Sequence, residues 1–504
     1  MGVIRFAFDP EQNSNELMNR LGDRAFLVSY EGKVFPGQQL LVQDNQIAIR
    51  KADERSAKLS FPWPLEQLGD VLFQTGSLME REEPYSLLVE LARGKVSALR
   101  NQSGNWQIMG MTIPAEFYER LDRAHEFLSQ GVQTQTNIKE SSRLGGAALE
   151  QAQAASDILM SSFIGQRMKL QSRRYTVPPL HYSCGVSFDF QKEENEENLK
   201  SLLARFDEFV LPLHWNMDEE LRSSPRVEEI DETIDFLISQ NKIVSAGPLL
   251  DFSSEGLPAW LKQWQGDAIS MQSLLCDFIE TIVSRFAGKI RKWDLSVNSE
   301  MGAADEEWSF LSEEVRLRFL SRSLEIMQQI DNQLEISLLV TDPWGVYHGD
   351  GGYLLTSLTF VDVLTRARGK LSSLKLVLTD GYENNRVPSF DWLELSRIVD
   401  YWSSLGIPLQ VVLAAPSSGE TQENSRIQVD SKQTHLVSLQ SQADWYEKVI
   451  SLMIAKESVT GIQFEHFHDG SPNRYAASGF VDTTGKPKIS FDQLARLQTF
   501  APKP

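Results

Sequence analysis

The sequence is poor in several features that would point to particular function classes. Only two cysteines, Cys184 and Cys276, occur in 504 residues, which excludes a disulfide framework and a cysteine-built zinc cluster. Both stand in apolar surroundings and read as small buried side chains. No run approaches the ~20 consecutive apolar residues of a membrane span. The opening MGVIRFAFDPEQNSNEL has neither the apolar core nor the small-residue cleavage site of an export signal, so the expected address is cytoplasmic unless an upstream start codon hides one. Its Met-Gly is a weak myristoylation signal, because Phe6 stands where Ser or Thr is needed. Basic residues are the minority, 49 Lys and Arg against 69 Asp and Glu for a net charge of −20, which opposes nucleic acid and anionic membranes as partners. The sharpest basic run, 167–174, reads as a solvated helix end. No G-x-G-x-x-G or Walker motif follows a strand pattern, so nucleotide readings fall away and no cofactor is expected. The apolar content of 41% is ordinary for a chain with a large core.

The chain changes character twice. Residues 1–135 open with short β-type runs, AFLVSYE, QLLVQDNQIAIRK and AKLSF, and continue into helical periodicity carried by Leu87, Leu88, Leu91 and Leu99 and, after Pro114, by Phe117, Leu121 and Leu128. Residues 136–178 read as a helical linker. From 179 to 504 the pattern becomes regular. GVSFDF, EFVLPLHW, IVSAGPLL, KIRKWDLSV, LEISLLV, LKLVL, LQVVLAA and GIQFEHF are each followed by a helical pattern. Asp391 with Glu394 reads as a capping box before the seventh of these strands. Eight alternating strand–helix units predict a (β/α)8 TIM barrel preceded by a β-rich plus helical N-terminal domain.

In such barrels chemistry sits at the C-terminal strand ends. Those ends carry Asp189, then His214 and Trp215, Asp251, Asn298 and Glu300, Asp342 and Trp344, Asp380 and Tyr382, two alanines, and finally His466 and His468. Carboxylates mixed with aromatic and imidazole side chains suit a sugar site, since aromatic faces stack on pyranose rings while carboxylates accept hydroxyl protons. About half of the acidic residues are expected to cap helices instead. His466-x-His468 could hold a metal on one strand face, but no third ligand is identifiable, so hydrogen-bonded histidines are the expected reading and no metal site is assigned.

Three blocks carry a family resemblance. RFAGKIRKWDLSVN (285–298), IDFLISQNKIVSAGPLLDFSSEGLPAWL (234–261) and FVDTTGKPKISFDQL (480–494) resemble, in order and spacing, the fourth-strand, third-strand and closing segments of glycoside hydrolase family 10, the xylanase family. The resemblance covers about residues 180–498. It implies a retaining glycosidase with one glutamate at the end of strand four as acid/base and one on strand seven as nucleophile, their carboxyls ~5–5.5 Å apart.

This sequence departs from that pattern at both places. Asn298 occupies the acid/base position without gaps, or Ser299 with a one-residue insertion. Leu413 falls at the nucleophile position, the nearest downstream carboxylate being Glu420, and Pro248 replaces a sugar-binding histidine. The expected protein is therefore a xylanase-like pseudoenzyme that engages an oligo- or polysaccharide with β-linkages. In it Trp215 and Trp344 stack on the ligand, Asp251, Asn298, Asp342 and Asp380 bond hydroxyls, His214, His466 and His468 orient it, and Glu300 is the remaining acid, pairing at most with Asp342 or Asp380. Phe464 falls where the family has a cavity tryptophan and is placed on the inward face with both strand-eight histidines, which turns Glu465 outward. The alternative from another class is a non-enzymatic scaffold, its N-terminal module carrying the protein contacts. Oligomeric state has no signature in the sequence.

Overall fold

The computed structural model describes residues 2–500 apart from 12, 31, 53, 66–68, 172–179, 218–223, 303–307, 351–352, 367–369 and 384–390. The last three residues of the basic run at 167–174 lie outside the described residues. The chain forms two compact units, one of residues 1–173 with 344–356 and 386–398, the other of 174–343, 357–385 and 399–504.

The first unit holds two antiparallel-based sheets and three long helices. Strands β1 (Gly2–Ala7), β3 (Gln39–Gln43), β4 (Gln46–Lys51) and β7 (Tyr85–Ser86) form one sheet, and β2 (Phe26–Val28), β5 (Lys58–Leu65) and β6 (Gly69–Gln74) the other. Asp44 and Asn45, both at positive φ, make the two-residue turn from β3 to β4, the backbone shape that matches hairpin twist. Helices Leu87–Ile108, Ala115–Gln133 and Ile138–Gln171 pack through Leu91, Leu99, Phe117, Leu121, Leu149 and Leu159. Within this unit the carboxylate of Asp391 accepts from Lys95 Nζ at 2.5 Å and Ser156 Oγ at 3.1 Å. That role draws on residues far away in sequence and is invisible to a local capping pattern.

The second unit is a closed (β/α)8 barrel. Its eight parallel strands are β8 (His181–Gly185), β9 (Glu208–Leu211), β10 (Ile243–Ala246), β12 (Lys292–Val297), β13 (Glu335–Val340), β14 (Ser373–Thr379), β15 (Leu409–Ala414) and β17 (Val459–Phe464), the last pairing with the first. A short strand β11 (Leu250–Asp251) extends the third unit alongside β12. Strands β16 (Ser425–Ile427) and β18 (Asn473–Tyr475) pair with each other above the seventh and eighth strands. Helices begin at polar caps: Asn195 accepts from the amides of Glu197 and Asn198, and Asp267 from that of Ser270.

The lumen is polar at its base. Lys375 bonds Asp294 at 2.6 Å and the Gln463 side-chain oxygen at 2.7 Å, while Glu208 pairs with Lys292 and His181, both at 2.7 Å. On β15 Gln410 faces the basal cavity, so Val412 and Ala414 share its inward face and pack with Leu339 and Val377. Leu413 therefore turns to the helices, and beyond Gln410 the inward positions on this strand are aliphatic. On β17 the phase differs from the sequence expectation. Phe464 packs outward against Phe206, Tyr446 and Phe480, Gln463 points to the lumen, and Glu465 follows it inward.

Candidate functional site

A cleft of about 420 Å³ opens at the C-terminal ends of the strands. His214, Asp251, His466 and His468, each expected from the sequence, line it together. Strand β11 fixes Asp251, whose Oδ1 accepts from Asn298 Nδ2 at 2.9 Å and the Ser253 amide at 3.0 Å, while Oδ2 lies 3.3 Å from Arg426. Burial would raise this carboxyl, but Arg474 and these donors outweigh it and hold Asp251 below the usual carboxylate range. Asn298 thus reaches the cleft through Asp251, from a left-handed backbone conformation (φ 57°) that asparagine tolerates.

The histidines present opposite chemistry. His214 Nδ1 lies 2.7 Å from the Pro248 carbonyl and donates to it, leaving Nε2 as an acceptor. Burial keeps this ring below its ordinary pKa, hence neutral. His468 Nδ1 accepts from the Gly470 amide at 3.1 Å, so its Nε2–H is a donor. His466 is held on one side by a hydrogen bond between Nδ1 and Ser478 Oγ at 3.2 Å, while its buried Nε2 faces Asp469 at 3.6 Å without a hydrogen bond. Asp469 in turn meets Lys488 at 2.6 Å.

The remaining expected residues are elsewhere. Glu300 is 1% exposed, and its Oε1 accepts from the amides of Thr341 and Asp342 at 2.6 and 3.0 Å. It anchors the end of β13 to the end of β12, with burial pushing its carboxyl up. Arg316 completes this anchor by donating to the carbonyls of Ser299, Glu300 and Leu311. Asp342 is buried at the same junction. Asp380 is half-buried and lies beside β15 through its amide, which donates to Ala414. Trp215 is 1% exposed between Trp260 and Phe278, and Trp344 packs in the first unit on Phe26, Val28, Val34 and Val346. None of these five expected residues lines the cleft.

Charged residues that line it without having been assigned to it from the sequence include Arg426 and Arg474, and Glu465, which the sequence reading turned outward, lines it too. The two arginines arrive on β16 and β18, loop strands 48 residues apart whose pairing has Ser425 opposite Asn473. Glu465 was legible in one respect: GIQFEHF alternates Gln463 with Glu465 and Ile462 with Phe464, so the polar pair shares one face. Its carbonyl lies 2.0 Å from where a Gly185 Cβ would stand. Gly185→Ala must therefore displace the end of β17. We expect it to cost about 1–3 kcal/mol, read as a lower urea midpoint at an unchanged slope.

Among the described residues no group of three or more His, Cys, Asp or Glu is placed to hold a metal ion, and no helix is long and apolar enough to cross a membrane. Residues 186–342 match the model of glycosyl hydrolase family 10, a segment running from the end of β8 to the end of β13 and containing the third- and fourth-strand blocks read from the sequence. The resemblance to that family is thereby borne out for this part of the barrel. The closing block at 480–494 lies outside the match. Solved structures similar to this chain include xylanase 10B from Thermotoga petrophila RKU-1 in complex with xylobiose (15% identity, 67% of this chain and 96% of that one, TM-score 0.45). A family 10 xylanase from Thermobacillus composti (14%, 66% and 99%, 0.45) and native xylanase10C from Cellvibrio japonicus (13%, 64% and 70%, 0.47) are similar too.

Proposed function

We propose that the mouth of the barrel binds a β-linked oligo- or polysaccharide, and does so without the two-glutamate retaining chemistry of family 10. The observation that carries this reading is the cleft itself, where an acceptor nitrogen on His214, a donor nitrogen on His468 and the ionised Asp251 converge. A sugar hydroxyl both donates and accepts, and mixed fixed partners of this kind select for it. Family 10 matching the strands that supply His214 and Asp251 favours a xylan-type glycan as the first ligand to test. The absence of a nucleophile is argued from β15, whose inward residues Gln410, Val412 and Ala414 carry no carboxylate.

Isothermal titration calorimetry with xylohexaose tests the reading. We expect saturable binding, weakened about tenfold by His214→Ala, the loss corresponding to roughly one hydrogen bond. Absence of binding at millimolar sugar, or equal affinity in the variant, would remove the cleft as a glycan site and leave the scaffold role as the better account.

A further inference from the structure

Glu465 differs from the other acids of the cleft. Asp294 is paired with Lys375, Asp251 takes two neutral donors and Arg426, and Glu194 accepts from Asn198. The Glu465 carboxyl has no hydrogen bond or ion pair among the described residues, yet it lines the cleft on the inward face of the eighth strand, two residues above Gln463. That places it about 6.6 Å further toward the mouth than a side chain already bonded inside the lumen. Asp251 enters the same cleft from the third strand unit. Arg474 lines the same cleft, and its charge favours the ionised form of both carboxyls.

The geometry points to Glu465 and Asp251 as an acid–base pair for single-displacement hydrolysis of a β-glycosidic bond, with Glu465 the proton donor and Asp251 the proton acceptor. The inference rests on the glycan reading of this cleft and adds a reaction to it. Neither residue stands on the strands that carry the family pair, so the chemistry differs as well as the positions. The Glu465 proton passes to the glycosidic oxygen while the bond from that oxygen to the anomeric carbon breaks, its electron pair leaving with the departing sugar. A water oxygen bonds to the opposite face of the anomeric carbon and gives its proton to Asp251. The product hemiacetal has inverted configuration, and exchange with solvent moves the proton back to the resting arrangement. Inverting enzymes leave room for that water by spacing their carboxyls about 6.5–9.5 Å apart, and acids on two different strand ends around an open cleft meet that demand better than neighbours on one strand.

The environments of the two groups suit the roles. Burial pushes the Glu465 carboxyl above its ordinary range, Asp294 and Asp251 push the same way, and Arg474 and His466 oppose them. Asp251 is held low. Environments that push two acids apart in pKa separate the donor from the acceptor.

The test uses the full chain with xylohexaose and with 2,4-dinitrophenyl β-xylobioside, whose leaving group departs without protonation. We expect slow hydrolysis of xylohexaose with the α-anomer released first by proton NMR. Glu465→Gln should lose at least about 100-fold in kcat on xylohexaose and under about tenfold on the dinitrophenyl glycoside, and should lose the alkaline limb of the pH profile while still binding xylohexaose by calorimetry. Asp251→Asn should lose turnover on both substrates. Xylohexaose binding without turnover in the unaltered protein, release of the β-anomer, or equal sensitivity of both substrates to Glu465→Gln would each overturn the pair while leaving the glycan site standing. Absence of binding would overturn both.

Discussion

Lys375→Met is expected to destabilise the barrel by about 3–5 kcal/mol, the range found when one partner of a buried ion pair is removed. Lys375 is 2% exposed, and its ammonium holds Asp294 at 2.6 Å and Gln463 at 2.7 Å across the lumen. Methionine nearly matches its volume, so the cost is electrostatic: Asp294, itself 2% exposed, loses its bonded cation. Burial already raises the Asp294 carboxyl, Lys375 opposes that rise, and Glu208 adds to it. Without Lys375 the folded state favours protonated Asp294 more strongly still. A group whose folded pKa is raised loses stability as pH climbs from the unfolded value, about 3.9 for aspartate. The deficit of Lys375→Met should therefore be small near pH 4 and widen toward pH 7. Urea unfolding of the variant at both pH values measures it. A deficit independent of pH would show that shape, and not the stranded carboxylate, sets the cost. Adding Asp294→Leu should recover much of the loss, because a buried pair replaced on both sides by apolar groups is often neutral.

The same network explains where sequence reading succeeded and where it failed. The alternation of strands and helices was legible because each strand is a short apolar run and each helix carries an apolar stripe, and these patterns do not depend on what fills the lumen. The facing of strand residues does depend on it. With Lys375, Asp294, Gln463 and Glu208 at its base, the lumen is polar, and the apolar face of a strand such as GIQFEHF points to the helices. Taking Phe464 as a cleft aromatic by family alignment reversed the strand and turned Glu465 outward. Trp215 shows the second limit. It follows strand two where a stacking aromatic is expected, but the pocket between Trp260 and Phe278 buries it completely, and burial by distant residues leaves no local signal. Glu300 shows the third. A carboxylate that bonds the amides of Thr341 and Asp342 is a structural anchor made by two strand ends, and composition at one of them cannot separate that from an acid awaiting a substrate. His214, Asp251, His466 and His468 line the cleft because the C-terminal strand ends of such a barrel surround its mouth. Asp380, directly after β14 and outside the cleft, shows that a strand-end position alone does not bring a side chain there.

A second buried ion pair, Lys488 with Asp469, stands behind His466. Lys488 is 4% exposed and bonds Asp469 at 2.6 Å and the Ala477 carbonyl at 3.2 Å, while Asp469 also accepts from the Gly479 amide at 2.8 Å. Burial would raise the Asp469 carboxyl, but His466 and Lys488 outweigh it and hold the group down at about 2. Lys488→Met should cost about 3–5 kcal/mol, since Asp469 stays buried with its main cation gone. A depressed folded pKa gives stability that is present above the unfolded value and lost as pH falls through the folded one. The stabilising contribution of Asp469 in the unaltered protein, about 2–3 kcal/mol by that linkage, should therefore hold from neutrality to about pH 5 and fade as the pH drops through about 2. The stability gap between the two proteins should close over the same interval, followed by thermal melts in steps of half a pH unit. Because Asp469 also positions His466 at the cleft wall, Lys488→Met should weaken xylohexaose binding at temperatures where the variant is still fully folded. Unchanged affinity there would mean that Ser478 alone orients the imidazole and that the ion pair serves the fold only.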